Sequence, residues 1–330
     1  MGNMTALVQN ESIKMIKKRR FMVVILILVA LIPMFTYAQM RVSQNTLKQF
    51  GTTDWKAQER QKIVDYQRSL GSARVPEEWK EFRRAQIKIS QYYLDHNINP
   101  VSPSGVTFTR EFLNNSISLF IPLIIMVVAA DIMSSEHSTG TIKLLLTRPV
   151  KRWKILMSKL ITLILFVSLI VLSTAALCYL ISGLIFGYGG WNMPVFTGFK
   201  ASGGEVDLSG VHAISQWKYL LMQTGLVWFV GIVVAMLSLM FSVLVRSTAA
   251  GMGIMLAVLI SGNILTNMVS SWETAKYLFM VNLKLTDYMT GALPPIKGMS
   301  LGFSLTVLSV WTLASLIISF GVFTRKDILN

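Results

Sequence analysis

Six stretches of almost uninterrupted apolar residues divide this chain, at 21–38, 117–133, 155–186, 220–245, 249–271 and 301–323. A run of about 18 or more apolar residues is long enough to cross the hydrocarbon core of a bilayer as a helix. Lipid offers no partner for backbone N–H and C=O groups, so a spanning segment must satisfy them internally and helix is the expected form. The 32 residues from 155 to 186 are long enough to cross at a tilt. Composition agrees: 53% of the residues are hydrophobic, 14% are charged and the mean hydropathy is +0.55. A soluble domain of this size carries about a quarter of its residues charged. The expected fold class is an all-α integral membrane protein with six transmembrane helices and an extracellular helical hairpin inserted between the first two.

The net charge of +15 marks the sides of the membrane and not a nucleic-acid partner. Lys14, Lys17, Lys18, Arg19 and Arg20 precede the first span, and Lys143, Arg148, Lys151, Arg152 and Lys154 fill the connection between the second and third. Arg246 lies between the fourth and fifth, and Arg325 and Lys326 follow the sixth. With six spans these four places share a side, and the positive-inside bias makes that side cytoplasmic, both termini included. A bacterial plasma membrane is the expected location. Thr36-Tyr37-Ala38 after a basic cluster and an apolar run resembles a signal cleavage site, but the run is long for a signal, so it reads as a span. Cys178, the single cysteine, falls in the third span, so no intramolecular disulfide is available.

Between the spans the chain divides as follows. Residues 1–20 form a cytoplasmic segment in which Leu7, Val8, Ser12 and Met15 would line one side of an interfacial helix. Residues 39–116 are polar: one helix is expected between an N-cap at Asp54 and a stop at Gly71, and a second with Pro76 in its first turn beside Glu77 and Glu78. Trp79, Phe82, Gln86, Ile89 and Tyr93 would form a seam facing Ile63, Tyr66 and Leu70. Pro122 should kink the second span. Residues 134–154 form a cytoplasmic loop, 187–219 an extracellular loop and 324–330 a cytoplasmic tail. In 272–300 the apolar run 277–281 is too short to cross and is followed by Gly291, Pro294 and Pro295, a pattern that suits a re-entrant or interface-lying helix.

No pattern of catalytic or metal-ligating residues stands out. His96, His137 and His212 are far apart in sequence, no phosphate-binding Gly-x-x-x-x-Gly-Lys-Ser/Thr loop occurs, and the spans hold almost no ionisable groups. Asp131, near the inner end of the second span, reads as an interfacial or capping carboxylate. Proton- or sodium-driven transporters need buried ionisable groups for the coupling ion. Their scarcity points to energy supplied from outside the chain, and neither a cofactor nor an enzymatic activity is expected.

The segment from Ser134 to Lys159 is the most specific in the chain. Thr139 or Thr141 can start a short helix that Pro149 ends, with Ile142, Leu145 and Leu146 on one face. By residue pattern alone it suits equally a groove in a partner protein and the inner leaflet. Glu136, Gly140, Thr141, Leu144, Leu145, Pro149, Arg152 and Lys159 in this order resemble the inner loop of ABC-2 type permeases, the membrane subunits of a class of ABC exporters, in the subgroup with an enlarged first outer loop. The resemblance implies a six-helix membrane domain that pairs with a second permease, each bound to a separate ATPase subunit that carries ATP and magnesium. It further implies that 140–149 is a coupling helix braced at its ends by Glu136 and Arg152. A membrane sensor or scaffold that uses the outer helices to bind a ligand or envelope partner is the alternative expectation.

Overall fold

The computed structural model describes residues 4–50, 54–71, 77–100, 103–142, 150–202, 205–207, 209–245, 247–268 and 272–325. Helices dominate. A first helix, α1 (Met4–Lys17), is joined by a two-residue turn to α2 (Arg20–Phe50). Two helices, α3 (Trp55–Leu70) and α4 (Glu77–Asp95), pack on each other. They are followed by α5 (Gly105–Ser116), α6 (Phe120–Ala129) and α7 (Asp131–Ser138). The remaining long helices are α8 (Arg152–Phe186), α9 (Gln216–Leu244), α10 (Thr248–Met268) and α12 (Leu301–Arg325), with one turn of helix, α11 (Asp287–Thr290), before the last. Among the described residues, six segments are long and apolar enough to cross a membrane: Arg20–Val42, Phe120–His137, Arg152–Phe186, Gln216–Leu244, Thr248–Thr266 and Leu301–Arg325.

Helix α9 is the centre of the bundle. It packs along α12, α6, α8, α5, α7 and α10, which buries it on most sides, and its sequence is accordingly apolar nearly all round. Gly231 lets α6 and α8 close on it: a methyl group there would lie 2.8 Å from Ile125 and 3.0 Å from Val167. The peripheral spans α2, α10 and α12 leave most of their apolar surface outside the core, with Leu26, Met34, Ile264 and Ile317 among the exposed side chains. Such a surface is stable only against lipid or another apolar protein face.

Several sequence expectations are met closely. Asp54 caps α3 by accepting the Lys56 N–H at 3.0 Å, and the helix stops at Gly71, which is right-handed (φ −74°). Other expectations are corrected. Pro122 does not kink the second span, which runs from Phe120 to His137 and is interrupted at Ala130. The chain leaves α5, turns through residues 117–119, with Leu119 at φ −135° and ψ −59°, and restarts as α6 with Pro122 in its first turn. There the missing proline N–H belongs to the set no helix can use, so the break absorbs what a kink would have cost. The region is not purely helical either. Residues 187–219, expected to be a loop, contain two short antiparallel ladders, β1 (Pro194–Thr197) with β4 (His212–Ser215) and β2 (Lys200–Ser202) with β3 (Glu205–Asp207). Strands of three or four residues are too short to leave a period-two pattern in sequence. Residues 272–300, expected to hold a re-entrant or interface-lying helix, form two short 3-10 helices, Glu273–Tyr277 and Phe279–Asn282, and α11. Their carbonyls are satisfied by side chains. Asn282 Nδ2 donates to the oxygens of Lys276 and Leu278 at 2.8 Å each, and Trp311 Nε1 donates to Tyr277 O at 2.9 Å.

Helix α4 packs on α3 as expected and has a second partner that was not expected. Ala85 and Ile89 bury against Phe196 and Phe199 of the β1 region, with Tyr92 and Tyr93 closing on the Phe196 ring. Gly291 ends α11 in the left-handed region (φ 77°), where a side chain would strike Phe199 and Ile89. Three separate connections, the one before α5, the one before α9 and the one before α12, therefore form a single packed module. The side chains of Trp79 and Phe82 and the structure at Pro76 lie outside the described residues.

Candidate functional site: a buried ion network where α1, α7 and α8 meet

Lys159 lies in the second turn of α8 in an otherwise apolar surrounding and is 0% exposed. A lysine there must be paired, because desolvating an ammonium without compensation costs several kcal/mol or more. Its Nζ donates to Glu11 Oε2 at 2.7 Å, to Glu136 Oε1 at 2.7 Å and to the carbonyl of Ile132 at 3.1 Å. All three ammonium donors are thus used. Glu11 comes from α1 and Glu136 from α7, so one side chain ties to its own helix two elements whose partners are 148 and 23 residues from it in sequence. Lys14, one turn beyond Glu11, adds bonds to Glu11 Oε1 (2.9 Å) and Glu136 Oε1 (3.2 Å).

A second knot lies beside the first. Asp131, 3% exposed at the start of α7, pairs through Oδ2 with Lys18 (3.0 Å) and through Oδ1 with Arg20 (3.0 Å). Arg19, between those two cations, adopts a left-handed backbone (φ 56°), uncommon for a residue with a side chain. It ends α1 and starts α2, so that the residues on either side both reach Asp131. Lys18 also donates to Ser135 Oγ at 2.6 Å, and Arg20 to the Val127 carbonyl at 3.2 Å.

Burial raises the pKa of Glu11, but the attraction of Lys159, the hydrogen bonds from Lys159 and Lys14 and the charge of Lys14 outweigh it and hold the carboxyl below its ordinary value. For Lys14, burial pulls the other way and the hydrogen bonds and charges of Glu11 and Glu136 raise it above its ordinary value. Both shifts favour the ionised pair.

The α6–α7 junction is held from α9 and α10. Ser242 Oγ accepts the N–H groups of Met133 (3.0 Å) and Ser134 (2.9 Å), two of the orphan donors at the start of α7. The Ser134 hydroxyl donates to the Ala130 carbonyl at 2.7 Å, and Thr248 Oγ1 reaches Asp131 Oδ1 at 3.3 Å. A side chain inserted into the backbone ladder is a recognised origin of a helix bend.

The residues singled out by sequence fall in different places. Glu136 is inside the network, 7% exposed, and accepts from Lys159 at 2.7 Å. Arg152 opens α8 and donates to the Thr324 carbonyl at the end of α12, at 3.4 Å. Gly140 follows the end of α7 in the left-handed region (φ 71°), a common way to finish a helix. Thr141 shares a hydrogen bond with Thr139 at 2.9 Å, and Ile142 buries into the main core. Leu144, Leu145 and Pro149 lie outside the described residues. Sequence reasoning missed Glu11 and used Lys14, Lys18 and Arg20 only as markers of sidedness. Two signals were available: Glu11 is the sole acidic residue before Asp54, and Lys159 is the sole charged residue between positions 155 and 186.

The family described as "Protein of unknown function (DUF2705)" matches residues 80–329, a range that contains Asp131, Glu136 and Lys159 and excludes Glu11. Two proteins of Bacillus subtilis (strain 168) are similar in sequence. "Uncharacterized protein YhcI" is 30% identical over 255 residues, 76% of this chain and 78% of its own length. "Uncharacterized membrane protein YdbK" is 26% identical over 219 residues, 64% of this chain and 80% of its own length. Six apolar helices and similarity to a membrane protein together make this a multi-pass membrane protein.

Proposed function

This chain belongs to the DUF2705 family, and we propose that it is the membrane-spanning permease subunit of an ATP-driven exporter, coupled to a separate ATPase through the connection between α7 and α8. One observation carries the reading. Lys159, Glu11, Glu136 and Lys14 clamp α1, α7 and α8 together at the end of the bundle from which that connection projects. A push on the connection then moves the second and third spans together with α1, because packed elements shift between discrete arrangements and do not bend continuously. The resemblance of 136–159 to the coupling loop of ABC-2 type permeases supplies the partner. Gly140, Thr141, Leu144, Leu145 and Pro149 would dock on the ATPase, and ATP with magnesium would be held there. The basic residues near this end favour the cytoplasmic side, with the α3/α4 module outside. The apolar outer faces of α2, α10 and α12 suit a second permease subunit, with a pathway for an amphiphilic cargo between the two.

The test uses Arg152→Glu and Leu145→Asp in the full chain. Both variants should reach the membrane folded, yet lose co-purification with the ATPase and lose ATP-dependent export. Wild-type co-purification and export in both would refute the reading. A sensor or scaffold has one observation in its favour, the module that three connections build around Phe196 and Phe199. Purification with no ATPase partner, together with ligand binding by that module, would favour it.

A further inference from the structure

The two ion knots border a cleft whose polar wall is Glu11, Lys14, Lys18, Arg20, Asp131 and Glu136 and whose apolar wall includes Phe21 and Phe166. Its hydrogen-bonding capacity is not used up. A lysine ammonium carries three donors and a guanidinium five. Lys14 and Lys18 each spend two within the protein, and Arg20 spends one on Val127 and one on Asp131. The side chains of the three stay 40%, 40% and 32% exposed. Among the described residues, the one buried carboxylate oxygen without a hydrogen-bond partner is Glu136 Oε2. Spare donors on three cations thus stand beside one spare buried acceptor, and an unmade bond to a buried charged oxygen is costly.

Charge narrows the occupant. Lys14, Lys18, Arg20 and Lys159 face Glu11, Asp131 and Glu136, which leaves one positive charge in excess. A monoanion neutralises it. The other oxygen of Glu136 already faces two ammonium groups, so a third cation at Oε2 is disfavoured and a neutral hydroxyl is the fitting donor. Depth narrows it further. The cleft opens where the apolar run of α2 begins, and at that level Met22, Val23 and Leu26 of α2 and Ile13 and Ile16 of α1 are exposed on the faces turned away from it. That is the level of lipid headgroups.

We propose that this cleft binds the headgroup of an anionic phospholipid with a hydroxylated alcohol, of the phosphatidylglycerol type. Lys14, Lys18 and Arg20 hold the phosphodiester oxygens, a headgroup hydroxyl donates to Glu136 Oε2, and the acyl chains run down the face of α2. The proposal does not depend on the exporter reading, since any multi-pass protein with this cleft would bind the lipid.

The full-length protein is reconstituted in phosphatidylcholine nanodiscs containing a minor fraction of phosphatidylglycerol or of phosphatidylmethanol, which has the same charge and no hydroxyl. Retained lipid is counted by native mass spectrometry. Phosphatidylglycerol should be retained well above both other lipids. Lys18→Gln and Lys14→Gln should each lower that preference about fivefold, the effect of one cation near an anionic headgroup. Lys151→Gln, at an exposed position that does not line the cleft, should leave it unchanged. Equal retention of phosphatidylglycerol and phosphatidylmethanol, retention no better than phosphatidylcholine, or an equal loss in Lys151→Gln each overturns the proposal. The lipid comparison in the unaltered protein decides the matter by itself if a lysine variant fails to fold.

Discussion

Replacing Lys159 by Met tests the ion network directly, because Met fills the volume of the lysine stem and removes only the ammonium. Three bonds go with it: two of 2.7 Å to Glu11 and Glu136 and one of 3.1 Å to the Ile132 carbonyl. What remains is a buried pair of carboxylates sharing Lys14, at 2.9 Å and 3.2 Å, with one negative charge uncompensated. Removing one partner of a buried ionic group costs about 3–5 kcal/mol. Lys14 still serves both carboxylates, so the lower end applies, about 3 kcal/mol, or more than a hundredfold in the unfolding equilibrium. Unfolding in mixed detergent micelles, followed by tryptophan fluorescence, measures it. The same reasoning fixes a second variant. Adding Glu11→Gln to Lys159→Met leaves one carboxylate for one lysine, and should recover more than half of the loss even though it deletes a further native charge. A loss below about 1 kcal/mol, or no recovery in the double variant, would mean that these carboxylates are hydrated and not paired, and the clamp argument would fall.

Two further outcomes follow from the same junction. Ser242→Ala leaves the N–H groups of Met133 and Ser134 without their acceptor, and should cost about 1–3 kcal/mol in the same unfolding assay, with Ser242→Thr closer to the unaltered protein. Because the folded-state pKa of Glu11 is depressed, its contribution to stability is present above the ordinary value of 4.5 and is lost as pH falls from there through the folded value. A pH series should show the decline below about 4.5 and show it weakened in Glu11→Gln.

The spans were legible because the bilayer imposes a length and a composition on every helix that crosses it, and both can be read one residue at a time. The α3 cap was legible for a similar reason, since Asp54 acts on Lys56, two residues away. The module around Ile89 was not. Its stripe has the period of a helix seam, which says that something covers it, but not that the cover is Phe196 and Phe199, more than a hundred residues on. The candidate site divides the same way. Glu136, Gly140 and Arg152 stand out by local pattern, whereas the role of Glu136 depends on Glu11 and Lys159, which only the folded arrangement of α1 against α8 brings within 2.7 Å.

The sparse charge of the spans takes on a different meaning once the network is seen. Scarcity alone argues only that no coupling ion is bound along the membrane core. Among the described residues, the buried charged residues of the spans, Asp131, Glu136 and Lys159, are gathered at one end and paired with α1 and the α1–α2 turn. Elsewhere the bundle is held mainly by apolar packing around α9, which is not directional, with single hydrogen bonds such as Gln223 Nε2 to the Arg110 carbonyl at 2.9 Å. Ion pairs at 2.7–3.2 Å with buried carboxylates do not slide; they hold or they break. The second span is interrupted at Ala130, where Ser242 accepts the N–H groups of Met133 and Ser134, and the α7 that follows is tied to α1 and α8 through Glu136 while it packs on α9 and α10. A displacement of α7 therefore strains the ion pairs to α1 and α8 and the packing on α9 and α10 together.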